Sequence, residues 1–431
     1  MRGAWCVKHL QLTTSHYLLP ITHYLLPNFY YMTRPFPTPP INPFERLQVA
    51  DGLLINAERW RHAHSYHRQR QNVHYQSLNQ PGIVCGLGVR AIAAPKEVAA
   101  EYRNQSWVQI QPGIAIDLAG NPIVLPKPFN FRITTELQDS EPVMVYVVAR
   151  YRDPDELEAQ KPREIVQEMF RIDEKSSLPD IWDVELCRIR LQIDKKAITQ
   201  PADAFFPGYG DIDLRYRSQV QARPQALLRV AQVSRDDSES SQNFFNLSYL
   251  LQAVEALYSP LRGGEIIDRV DWTTDLQIYD LLYLTGKQKL SLDATEFKAL
   301  KSYLQSGGIL FVDVLSEATE LIESVQSLAA QELKTPLKPL EQLRRDHPLR
   351  TRPFLFAALP LVSQQTIQLL CGGGLILAIG NLGSAWGLDE GLSLSRVTIR
   401  TAQELGINIL HYAWKRRQLM HLQKEDYSGQ W

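Results

Sequence analysis

Residues 278–315 read IYDLLYLTGKQKLSLDATEFKALKSYLQSGGILFVDVL, and their punctuation decides the fold of the C-terminal half. Residues 278–284 form a mostly apolar run of strand length that opens onto Thr285-Gly286. Residues 293–305 carry apolar side chains at helical spacing and stop at Gly307-Gly308, and residues 309–315 form a second apolar run. Two buried strands joined through a helix need a crossover connection, so they lie parallel, with helices covering the sheet.

The same texture runs from 243 to 422. Residues 244–258 have helical spacing, and 375–379 read as a third buried strand closed by Gly380. Residues 398–421 read as a helical pair broken at Gly406. Gly372-Gly373-Gly374 precedes a strand, whereas a phosphate cradle lies between a strand and a helix N-terminus, so it reads as a turn. Lys415-Arg416-Arg417 reads as a solvated helix end.

Working outward, the polar run SRDDSESSQ at 234–242 reads as a hinge between domains. Before it, 142–150 reads as a buried strand, and 184–191 alternates as a half-exposed one, giving a second β-rich module at 136–233. Residues 44–135 form a first module. Asn56 caps a long helix, Glu58 favours its dipole, and Pro81-Gly82 stops it about six turns later. Ile83, Cys85, Leu87 and Val89 then alternate with smaller or polar residues, and Pro112-Gly113 and Gly120-Asn121-Pro122 mark turns of a small antiparallel sheet. The fold class expected is α+β multidomain: β-rich N-terminal modules with one long helix, then a doubly wound α/β domain at 243–422 and a tail at 423–431.

Two resemblances follow from these motifs. Asp51-Gly52-Leu53-Leu54, the Tyr66-His67-Arg68 helix, Pro81-Gly82-Ile83-Val84-Cys85-Gly86-Leu87, and Pro112 to Asp117 followed by Gly120 resemble structural proteins of contractile injection systems, the phage-tail-like machines. This likeness covers about 85 residues and implies a place near the baseplate or tail fibres, with other baseplate or fibre subunits as partners and with no cofactor. Tyr283-Leu284-Thr285-Gly286, Gly307 to Asp313, Asp346-His347-Pro348-Leu349, Asn381-Leu382-Gly383 with Trp386, and Leu405 to Ile409 resemble an uncharacterised bacterial flavodoxin-like domain, distantly similar to class I glutamine amidotransferases. That likeness brings no activity with it, and Ser384-Ala385 stand where other members tend to have Cys-Gly.

Composition narrows the function. The 431 residues are 44% hydrophobic and 22% charged, with a formal net charge of −1 and no long like-charge block, which argues against a nucleic-acid partner. Cys6, Cys85, Cys187 and Cys371 are far apart and read as reduced, buried thiols. No apolar run reaches the roughly 18–20 residues that span a bilayer, so the expected place is the cytoplasm; the resemblance to particle proteins leaves open association with the cytoplasmic or thylakoid membrane as part of a large particle. At residues 1–43, His16-Tyr17-Leu18-Leu19-Pro20 is repeated at 23–27, and five prolines stiffen 33–43 into a linker or a strap. Three readings of the repeat stand: a translated intergenic repeat with Met32 as the true start, a disordered tail, or an interfacial anchor giving peripheral membrane contact.

The candidate residues follow. His64 and His67 are the one pair at ligating separation on the long helix, with no carboxylate beside them. Packing in an interface outweighs metal binding there. Trp60, Tyr66, His67 and Tyr75 are the interface candidates. Asp313, at the carboxyl end of a strand, and His347 are the only candidates for catalysis. The expected function is therefore a non-enzymatic structural subunit, a homo-oligomer within a symmetric assembly. The alternative is a hydrolase or amidotransferase-like enzyme on the α/β half.

Overall fold

A computed structural model describes residues 43–135, 141–153, 168–193, 197–234, 238–264, 267–362, 364–387 and 394–423. The His-Tyr-Leu-Leu-Pro repeat, all but the last residue of the proline strap, and all but the first residue of the tail lie outside these. The α+β class holds, with a β-rich N-terminal part followed by a mixed sheet with helices.

Helix α1 (Ala57–Leu78) starts and stops where the sequence places it. Asn56 is its N-cap, accepting from the Arg59 N–H at 2.9 Å, and Asn79 ends it before Pro81. Beyond it, two three-stranded antiparallel sheets replace the single sheet expected. β1 (Gly82–Gly86) pairs with β4 (Gly113–Ile116), which pairs with β5 (Pro122–Leu125). β2 (Val89–Ile92) pairs with β3 (Trp107–Ile110), which pairs with β6 (Phe129–Arg132). A register shift between Ile83 and Cys85 breaks the alternation, so Cys85 is exposed where a buried thiol was expected; Cys187 and Cys371 are buried.

Next comes a four-stranded antiparallel sheet. In spatial order it is β10 (Ile212–Asp213), β9 (Val184–Leu191), β7 (Val143–Arg152) and β8 (Met169–Lys175). The 184–191 strand is interior, not half exposed. Arg188 is only 4% exposed, its guanidinium lying 3.8 Å from the centre of the Tyr216 ring and paired with Glu185. Residues of all three sheets share one core around Ile110, Ile123, Val147 and Ile189.

The chain then enters the α/β half. β11 (Ala226–Leu228) leads into β12 (Val230–Val233), helix α2 (Ser238–Leu257), β13 (Leu261–Gly263) and β14 (Asp268–Val270). β15 (Leu281–Thr285), α3 (Ala294–Gln305), β16 (Ile309–Val314), α4 (Thr319–Ser327) and β17 (Lys338–Pro339) follow. α5 (Pro348–Thr351), β18 (Leu361–Val362), β19 (Gln365–Thr366), β20 (Gln368–Gly372), β21 (Leu375–Ile379) and α6 (Arg396–Leu422) complete it.

Seven strands form the main sheet in the order β14-β12-β15-β16-β21-β20-β17. The first five are parallel, giving the doubly wound order 2-1-3-4-5; β20 then folds back on β21 as a hairpin, and β17 pairs antiparallel with β20 at the edge. Alternate side chains of each central strand go to opposite faces: Leu281 and Tyr283 pack with α2 and α6, Leu282 and Leu284 with α3 and α4. Strands covered on both sides read as unbroken apolar runs for this reason.

Three expectations change. The hinge expected at 234–242 overlaps helix α2, which begins at Ser238, and the sheet begins earlier, at β12. Ser, Asp and Glu favour a first helical turn, so the polar run opens a helix. Gly406 does not break a helical pair either. α6 is continuous, and a Cβ at 406 would lie 2.8 Å from both methyl carbons of Leu250 and 3.0 Å from Trp386 Nε1. Gly406→Val is expected to cost about 1–3 kcal/mol through overpacking, read as a lowered thermal midpoint.

Thirdly, the basic run 415–417 is largely engaged. Arg416 donates to the carbonyls of Gly308 (2.7 Å) and Leu304 (3.0 Å), while Arg417, 9% exposed, donates to those of Tyr279 and Gln277 and pairs with Asp280 at 3.5 Å.

Candidate functional site

Asp313 is the next-to-last residue of β16, and its parity puts it on the same face as Tyr283 of the neighbouring strand. Beyond β21 the chain turns sharply. Gly380 (φ 121°) and Asn381 (φ 57°) are both left-handed, and both donate to the Val314 carbonyl. A 3-10 turn over Leu382–Ala385 follows. Its free N–H groups point back at Asp313, with Leu382 donating to Oδ1 at 2.8 Å and Gly383 to Oδ2 at 2.7 Å. The Tyr283 hydroxyl donates to Oδ2 at 3.1 Å.

Converging backbone N–H groups of this kind make an anion cradle, and here the chain's own carboxylate fills it. A Cβ on Gly383 would lie 2.8 Å from both Asp313 Oδ2 and the Tyr283 hydroxyl, so glycine is required. Trp386, 1% exposed, closes the cluster, its ring centred 5.9 Å from Tyr283 and 6.1 Å from Phe311. Asp313 is 0% exposed. Burial pushes its carboxyl up to about 6, opposed by the N–H groups of Gly383 and Leu382 and the Tyr283 hydroxyl. An ionisable group with that affinity could move protons near neutrality, but it has no solvent access in this conformation.

His347 is not brought to Asp313. It occupies the N-cap position of α5, its ring 5.5 Å from that of Tyr412, with Nδ1 unpaired among the described residues and its pKa lowered by burial. Tyr412 lies one helical turn from Arg416, which holds Gly308 at the start of β16, whereas Ala402 accepts from Trp386 at the strand's other end. The ten residues from 402 to 412 span about 15 Å of helix. The expected carboxylate and imidazole thus sit at opposite ends of the strand. Nor is Asp313 on the strand-to-helix elbow, which falls at Asn381.

A cleft of about 810 Å³ opens on the other face of the sheet, between the loop preceding α3 and the helix α4. Leu292, Phe297 and Leu328 are half-buried in its lining. Glu320, Glu323 and Glu332 stand exposed around it, and none of them has a hydrogen-bond or ion-pair partner among the described residues. Asp313 and His347 are not in this lining.

The second feature is α1. None of its 22 residues is buried. Its C-terminal half rests on the β modules: Gln76 donates to the Ala119 carbonyl at 2.7 Å, Asn72 meets Asn121, and Arg68 pairs with Asp153 at 2.6 Å. Residues 57–67 make no hydrogen bond or ion pair to the β modules among the described residues.

Tyr66 and Tyr75 are partly covered, Tyr66 by Phe44 with ring centres 6.5 Å apart, while Trp60 (56% exposed) and His67 face solvent. These two belong to a stripe that the sequence reading missed. Trp60, His64, His67, Gln71, His74 and Leu78 are all exposed, at spacings 4-3-4-3-4, which align one helix face along its whole length. That spacing was the available signal, obscured because the residues are largely polar. His64 lies against Trp60 (5.2 Å) and His67 against Tyr66 (5.2 Å), and no group of three or more potential metal ligands occurs among the described residues.

No curated protein matches the chain. Residues 230–414, from β12 into α6 and thus the doubly wound sheet with its covering helices, match a family model described as a domain of unknown function, DUF4159.

Proposed function

We propose that this chain is a structural subunit of a contractile injection system, at the baseplate periphery or in a tail fibre. It docks through α1, and its α/β domain serves as an interaction platform. The observation that carries this reading is α1 itself: a helix of about 33 Å with no buried residue and an exposed Trp60 near its N-terminus. Most helical stability in proteins comes from packing one face, and an exposed aromatic on a helix that buries no residue of its own is a typical anchor for a partner. The resemblance of residues 51–120 to structural proteins of such particles supports the same assignment.

The rival reading, a hydrolase on the α/β half, draws on the left-handed turn at Asn381 and the raised pKa of Asp313. Against it, the turn's N–H groups are already taken by Asp313, and His347 lies near the other end of the strand. The test is made in cells carrying the particle. Trp60→Ala with His67→Ala is expected to leave the thermal midpoint of the purified chain within about 1 °C, since both side chains are exposed. Its amount in purified particles is expected to fall at least tenfold. Full incorporation of the double variant would refute the docking role of α1, and absence of the wild-type chain from particles would refute the assignment.

A further inference from the structure

Helix α1 is basic. Arg59, Arg61, Arg68 and Arg70 against Glu58 give residues 57–78 a formal charge of +3 with histidines neutral. Arg68 is paired with Asp153, whereas Arg59, Arg61 and Arg70 have no carboxylate partner among the described residues. Such a helix repels a copy of itself laid alongside, which disfavours a symmetric α1–α1 pair.

The complementary surface is on the same chain. The cleft between α3 and α4 is lined by Asp293, Glu320, Glu323 and Glu332 against Lys289, a formal charge of −3. Its apolar floor is the kind of surface that accepts an aromatic anchor. On a helix, Arg59 and Arg61 lie about 100° to either side of Trp60, so an indole seated in the cleft would carry one guanidinium toward each wall.

We infer that α1 of one copy docks in the α3/α4 cleft of a second copy, Trp60 filling the floor and Arg59 and Arg61 meeting the acidic walls. This deepens the reading of α1 as a docking element, on which it rests, and does not depend on which particle the chain belongs to. The contact is heterologous, joining unlike surfaces, so it propagates into a ring or a filament rather than closing as a two-fold dimer.

The test is sedimentation of the purified full-length chain over a concentration series at low salt. Wild type is expected to self-associate, and 0.5 M NaCl to weaken this by shortening the screening length. Arg59→Glu with Arg61→Glu is expected to raise the association midpoint at least tenfold. The new acids sit in the first turns of α1, where they favour the helix dipole, so α1 is retained. Glu320→Arg with Glu323→Arg is expected to do the same from the other side.

Mixing the two double variants restores opposite charge at every contact and is expected to bring association back. A wild type that stays monomeric at all concentrations, variants that associate as wild type does, or a mixture that stays dissociated would each overturn the inference. Should it fail while the chain still enters particles through Trp60 and His67, the structural-subunit reading survives with a different neighbour for α1.

Discussion

Asp313→Ala is expected to lower unfolding free energy by about 3–5 kcal/mol at neutral pH. The variant leaves the N–H groups of Leu382 and Gly383 and the hydroxyl of Tyr283 without their buried acceptor and opens a small cavity. Each orphaned buried donor costs about 1–3 kcal/mol, and incomplete relaxation of the turn sets where in the range the total falls.

The effect carries a pH signature. The carboxyl binds protons more tightly folded (about 6) than at its ordinary value of 3.8, so its contribution is fully present below about pH 4 and is lost as pH rises through about 6. The difference of about two pH units corresponds to about 3 kcal/mol. Wild type should therefore outstrip Asp313→Ala by a larger margin at pH 4 than at pH 7, in denaturant titrations of both chains. The comparison between variants removes the background from Asp117, Glu185 and Asp280, whose pKa values burial also raises. A margin that is flat or narrows toward low pH would contradict the picture of a buried carboxylate plugging the turn. An enzyme that used Asp313 would add a loss of turnover, which the plug alone does not require.

Arg417→Ala is expected to cost about 3–5 kcal/mol as well, although a run of three cations near a helix end reads as surface. Removing the guanidinium strands the Asp280 carboxylate, whose side chain is 13% exposed and which also accepts from the Arg229 N–H at 2.9 Å. It also frees the Tyr279 and Gln277 carbonyls. The neighbours calibrate the result. Arg416→Ala, giving up the Gly308 and Leu304 carbonyls from a half-buried position, is expected to cost about 1–2 kcal/mol. Lys415→Ala, on the exposed side against Trp414 and Gln418, should stay within about 0.5 kcal/mol. Equal effects at the three positions, read from denaturant midpoints, would rule out this division of labour.

What the sequence disclosed was local. Asn56 caps the helix it precedes. The glycines at 373 and 374 turn one strand into the next, and apolar runs of five to seven residues became the covered strands β15, β16 and β21. What stayed hidden depended on distant partners. Cys85 points outward because of a bulge set by pairing with β4, and Arg417 is drawn inward by carbonyls about 140 positions earlier. The ties from Asp313 to Tyr283 and Gly383 cross 30 and 70 positions. No window on the sequence contains both ends of such contacts, and a polar residue in an apolar run looks the same whether it is catalytic or buried as a prop.

Strand β1 and the end of α1 are stitched to the segment at 218–221 that leads toward the α/β half. Ile83 donates to the Ser218 carbonyl and Val220 returns a bond to Ile83. Gln80 takes the Gln221 carbonyl, and Arg262 on β13 reaches the Gln80 side chain at 2.9 Å. A tensile load applied at β1 is therefore shared among several bonds pulled at once, as in a zip drawn sideways. A part built this way passes displacement from α1 and β1 to the segment at 218–221 with little lost motion.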